Sequence, residues 1–120
     1  MFMITKKDII AFNQKFDKGY FENESSLDFA LSHFKQDISW IKKLVYLIRS
    51  ILVDYVFENG NKRTACAVLL YYVEENGYKI EEKTALSIVK RIVLKNIINI
   101  NNIKRMIEDG ITKKNQQNSK

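Results

Sequence analysis

No proline occurs in the 120 residues, so no fixed ring angle or missing amide interrupts a helix anywhere along the chain. Apolar residues recur at intervals of three and four rather than alternately, which is the period of helices that bury one face. The strongest case is "ISWIKKLVYLIRSILVDYVF", in which Ile41, Leu44, Val45, Ile48, Leu52 and Tyr55 fall on one stripe. Asp37 is placed to cap this segment, and its hydrophobicity predicts a helix at the centre of the fold.

Shorter segments carry the same signals. Thr5 with Asp8 three residues on reads as a capping pair opening a first helix, with Ile9, Ile10, Phe12 and Phe16 inward and Gly19 past its end. Ser25 and Asp28 repeat the pattern before "LDFALSHF", a short second helix. A fourth helix is expected from Asn61 to Asn76 with Gly77 as its left-handed terminator, followed by "YKI" as a brief extended link. "EEKTALSIVKRIVLKNI" predicts a fifth, with Leu86, Val89, Ile92, Val93 and Ile97 inward, and "NNIKRMIEDG" a sixth capped by Asn101 or Asn102. The expected fold class is therefore all-α: a single compact bundle of about six helices over residues 1–110. Residues 111–120 are polar, basic and aperiodic, and are expected to be a disordered tail.

Composition narrows the partners. Every long apolar stretch is broken by Lys, Arg or Asp, so no segment reads as a membrane span, and "MFMITKKD" lacks the form of a signal peptide. These features predict a cytoplasmic protein. The one cysteine, Cys66, excludes an internal disulfide, and its apolar neighbours predict a buried, inert thiol. The formal charge is +6, but the lysines are scattered, with no basic stripe and no interleaved aromatics. That pattern predicts generic attraction to polyanions without specific nucleic-acid binding.

Between the third and fourth helices stands "FENGNKRTA", where Gly60, Asn61, Lys62 and Arg63 directly precede an apolar run. A glycine at a helix start lets the backbone approach a ligand, and the first turn leaves N–H groups without intrahelical partners. Together with the positive end of the helix dipole, Lys62 and Arg63 would converge on a volume suited to phosphate. The plainer alternative is a turn followed by two solvated cations.

"FENGNKRTA" followed by "VLLYYVEENGY" resembles the signature of the Fic/Doc family, in its small Doc-like, death-on-curing branch. "ITKKDIIAFNQKF" is similar to the family's first helix, "SSLDFALSHF" to its Leu-x-x-Ala-Leu segment and "NIININNIKRMI" to its closing helix, so the resemblance spans residues 3–107. It implies a helical fold whose motif loop holds the phosphates of ATP with magnesium. It also implies transfer of AMP or a phosphoryl group to a hydroxyl of a protein target, commonly by a toxin with an antitoxin. Carried over by position, Gly60 and Asn61 form the anion-binding turn, Lys62 and Arg63 neutralise phosphate, Phe57 anchors the loop and Thr64 supports the helix.

Departures from the pattern bear on catalysis. The family's general-base histidine falls at Tyr55 and its magnesium-holding acid at Asn59. Phenols ionise near pH ~10, so a tyrosine is a poor base at neutrality, and loss of a positioned base costs about 10²–10⁴ in rate. Tyr55 is expected either to finish the apolar stripe or to line the pocket. Asp54 and Glu58 each lie one residue off the expected places, which turns a helical side chain by about 100°. His33, the one histidine, is expected to be structural. "KQDIS" is shorter than the family region that carries a target-docking hairpin. "KGYFEN" matches the family's inhibitory helix only in part, so any antitoxin is expected to be a separate partner. The alternative expectation is an inactive module that binds nucleotide, phosphate or a protein partner.

Overall fold

Local capping chemistry sets where the helices begin. The computed structural model describes residues 3–114. Helix α1 (Lys6–Gln14) opens with the expected reciprocal pair: the Asp8 N–H donates to Thr5 Oγ1 at 3.2 Å, and the Thr5 N–H donates to Asp8 Oδ2 at 2.9 Å. Helix α2 (Glu24–Ser32) is capped by Asn23, which accepts from the Ser26 N–H, and not by Ser25. Asn23 also donates through Nδ2 to the Asp54 carbonyl, so a contact from a distant segment selects the cap among adjacent candidates. After a 3₁₀ turn (His33–Lys35), helix α3 (Trp40–Val53) is capped by Ser39 rather than Asp37.

Helix α4 (Asn61–Glu75) closes through Asn76 and Gly77 as expected, with Gly77 at a φ of 89°. Helix α5 (Glu82–Leu94) follows the short strand β1 (Tyr78–Lys79). Helix α6 (Ile100–Gly110) is capped by Asn99, which accepts from the Asn102 N–H, so Asn101 and Asn102 lie inside it. The last element, β2 (Thr112–Lys113), pairs antiparallel with β1, and the Lys114 N–H donates to the Gly77 carbonyl at 3.0 Å. The expected disordered tail is thus corrected at its start, because the end of α6 delivers these residues to the free backbone groups of the link. The rest of that tail lies outside the described residues.

The architecture is an all-α bundle of six helices with α3 at its centre, touching α2, α4, α5 and α6. Leu44, Val45, Leu47, Ile48 and Ile51 are completely buried, so α3 presents more than one face to neighbours. Against it pack Leu27 of α2, Val68, Leu69 and Val73 of α4, Val89 and Ile92 of α5, and Ile103 and Ile107 of α6. Three residues expected to face inward do not: Phe16 is 39% exposed, Leu86 42% and Tyr55 57%. Phe16 lies beyond the end of α1, and Leu86 sits one residue, about 100°, off the buried face set by Ala85, Ile88, Val89 and Ile92. His33 is buried and structural as expected: Nδ1–H donates to the Phe29 carbonyl at 3.0 Å, and the ring stacks on Tyr46 at 3.7 Å.

Because Ile48 has no exposed surface, Ile48→Ala should lower unfolding free energy by about 2–5 kcal/mol, measured by urea denaturation. Burial pushes the Tyr72 phenol from its ordinary 10.0 up to about 12, against a smaller opposing hydrogen bond to Asn76. The unfolded chain therefore loses this proton first. Tyr72 contributes stability that is intact below pH 10 and is lost as pH rises to about 12, so Tyr72→Phe should flatten the fall in denaturation midpoint across that interval.

Candidate functional site

The chain leaves α3 through an abrupt turn. Asp54 ends the helix, and Tyr55 takes a left-handed φ of 53°, a costly conformation for a bulky side chain. Val56 and Phe57 then enter the core at 0% and 1% exposure. This stretch runs antiparallel beside residues 20–22. Glu58 N–H donates to the Tyr20 carbonyl at 3.0 Å, the Glu22 N–H donates to the Val56 carbonyl at 2.8 Å, and Phe21 stacks on Phe57 at 5.4 Å. Asn61 closes the loop from the other side, accepting the Phe57 N–H at 3.0 Å and donating to the Phe57 carbonyl at 2.8 Å. The side chain of Asn61 is therefore a clamp on the loop, and its contribution to a ligand is its backbone N–H.

A residue the sequence gave no reason to single out holds this loop to α1. Asn13 is completely buried, and its Nδ2 donates to the Asn59 carbonyl at 2.9 Å and to Thr64 Oγ1 at 3.1 Å. Its Oδ1 accepts the Gly19 N–H at 2.8 Å. The available signal was one asparagine among the apolar positions of the first helix. Gly60, at a φ of 78°, turns the chain into α4, and a Cβ there would lie 3.1 Å from Asn13 Nδ2. Thr64 is fully buried and donates its N–H to the Gly60 carbonyl at 2.9 Å, the first i to i−4 bond of α4.

The turn opens onto a cleft of about 400 Å³ lined by Asn59, Gly60, Asn61, Lys62 and Arg63, with Phe16 and Asp17 opposite. Among the described residues no side chain caps α4, and none accepts a hydrogen bond from the N–H groups of Asn61, Lys62 and Arg63. Lys62 and Arg63 are exposed and form no ion pair among those residues. Free amides, the helix dipole and two cations thus face one volume, an arrangement that stabilises an anion.

Other sequence candidates stand apart. Tyr55 is 57% exposed and does not line the cleft, which corrects both the stripe and the pocket-lining expectations. The left-handed turn is the reason, since it takes Tyr55 off the helical period of α3. The Asp54 carboxylate accepts the Ser26 hydroxyl at 2.6 Å and lies 4.0 Å from Arg49, so it is committed to joining α2 and α3. Glu58 is exposed and also outside the cleft.

Phosphates fit the donors of this cleft. Magnesium at the position of Asn59 fits poorly, because that side chain is neutral and lacks the charge that hard cations favour. Asp17 is the one carboxylate among the lining residues, and it would hold a magnesium ion carried in on phosphate. Among the described residues no group of three or more His, Cys, Asp or Glu could hold a metal ion by itself. Comparison of the chain with protein-family models, with curated proteins and with solved structures finds no match.

Asn13→Ala removes three hydrogen bonds to three segments, one of them buried, and should cost about 1–3 kcal/mol in denaturant unfolding. Gly60→Ala should cost roughly 1–2 kcal/mol, through the left-handed backbone and the close Asn13 amide. Cys66 is half-buried rather than fully buried. Burial, and then the negative charge of Glu82, pushes its thiol up. Its alkylation by iodoacetamide should therefore rise with pH at a higher midpoint in the folded protein than in urea.

Proposed function

We propose that the cleft at the start of α4 binds the phosphates of a nucleotide, in a Fic/Doc-like domain whose transfer of AMP or phosphate to a protein hydroxyl is impaired. The observation that carries this reading is the left-handed Gly60 followed by three first-turn amides without partners, with Lys62 and Arg63 beside them. ATP is the nucleotide that the family resemblance implies, and its chemistry is that of an activated phosphoanhydride. Arg63 offers two forked donors to phosphate oxygens, Lys62 a point charge, and Asn61 keeps the loop closed around Phe57. Binding and charge neutralisation are provided for; proton removal is not.

The impairment follows from position 55. An exposed tyrosine outside the cleft supplies no base to an incoming hydroxyl, and neither Asp54 nor Glu58 lines the cleft to replace it. Such a protein would act as a toxin of low activity held by a separate antitoxin. The exposure of Tyr55 also favours a second reading, a module that keeps the phosphate site for binding alone and works through protein contacts.

The test is transfer of label from ATP, marked at either the α or the γ phosphate, into proteins of a cell extract with magnesium. Wild type should label slowly, Tyr55→His should label little faster because position 55 lies outside the cleft, and Arg63→Ala should abolish labelling in both backgrounds. The labelled phosphate separates AMP transfer from phosphorylation. ATP binding without labelling in wild type or Tyr55→His would leave the binding module, and absence of ATP binding would sink both readings.

A further inference from the structure

Where α5 and α6 pack, the bundle carries a groove that shares no residue with the cleft at the start of α4. The two helices run antiparallel. Gly110, the last residue of α6, lies against Thr84 and Ile88 of α5, while Asn102 and Arg105 share a hollow with Arg91. A Cβ on Gly110 would come within 2.9 Å of Thr84 Cγ2, so the missing side chain lets that end of α6 approach α5 closely. Two hollows of about 410 and 330 Å³ have Arg91, Met106 and Asp109 in common and form one groove. Along α5 it reaches from Lys83 to Arg91, about two turns or ~12 Å. Its floor is apolar, with Ile88 buried and Met106 and Ile97 half-buried. Its rim is charged: Lys83 stands at one end, Arg91 and Arg105 line the other from the two helices, and Asp109 belongs to both hollows. None of these four forms an ion pair among the described residues. Lys104 and Glu108, with the same spacing on the neighbouring row of α6, are paired at 3.2 Å. Helix α6 thus settles the charges of one row within itself and leaves those along the groove open.

This pattern selects an occupant. Two arginines at one end and a lysine about two turns away suit two separate acidic groups, and the apolar floor between them suits an aliphatic side chain. Asp109 repels negative charge from the middle. A nucleic-acid strand carries a charge on every phosphate and has no use for an isoleucine and methionine floor, so the interruption counts against it. A second copy of this chain, at a formal charge of +6, is repelled on average. We propose that the groove between α5 and α6 docks an amphipathic helical segment of a separate, acidic protein. Its carboxylates lie about two turns apart, one toward Arg91 and Arg105 and one toward Lys83, with an aliphatic residue between them on Ile88 and Met106. The flexible thioether of Met106 adapts to the shape of that residue. The inference is independent of any reading of the cleft at the start of α4.

The test is fluorescence anisotropy of a labelled helical peptide of about 16 residues, with a glutamate at each end of a two-turn face and leucine between them. The full chain should bind it, less tightly as salt is added, and a peptide in which leucine and glutamate exchange places should not compete. Arg91→Glu and Arg105→Glu should each weaken binding about tenfold, and Met106→Gln should weaken it as well. Lys90→Glu makes the same change of charge on α5 outside the groove and should alter binding by less than about twofold. Arg91, Arg105 and Lys90 are exposed, so these variants keep the fold. Absence of binding would overturn the proposal, as would an equal loss in Lys90→Glu, which is the mark of attraction by net charge alone. Displacement of the labelled peptide by a single-stranded oligonucleotide more readily than by unlabelled peptide would give the groove to nucleic acid. A dimer of the chain in sedimentation that Arg105→Glu dissolves would give it to a second copy, and either result overturns the acidic partner.

Discussion

Three hydrogen bonds from the amide of Asn13 hold the candidate site together. A primary amide with no exposed surface is costly unless its polar atoms are paired, and here both Nδ2 and Oδ1 find partners. Those partners belong to the turn after α1, the motif loop and the first turn of α4. The Asn13 amide therefore fixes the loop relative to two helices, and the loop's own clamp, Asn61 on Phe57, fixes its internal shape. Without that double restraint the left-handed Gly60 would have no reason to present the first-turn amides of α4 toward one volume.

The electrostatics of the cleft follow from this placement rather than from net charge. A formal charge of +6 spread over scattered lysines says little about any one point on the surface. At the start of α4 the fixed partial charges of free N–H groups add to Lys62 and Arg63, and one carboxylate, Asp17, moderates them. The same loop geometry turns Tyr55 outward. In the proposed reading the cleft has donors for an anion, whereas none of Asp54, Tyr55 and Glu58 lines it.

The sequence by itself determined the helices, the central place of the third, the terminator Gly77, the glycine at the start of the fourth helix and the cationic pair beside it. All of these depend on periodicity or on partners within about four residues, which a linear reading captures. Only the tertiary structure decided the role of Asn13, because its partners Asn59 and Thr64 lie 46 and 51 residues away. It also decided the exposure of Tyr55, the use of Asn23, Ser39 and Asn99 as caps, and the pairing of Thr112 and Lys113 with the link. The physical reason is common to them. A polar or apolar side chain at a helix end or beyond has several equivalent local states, and a contact from a remote part of the chain selects one.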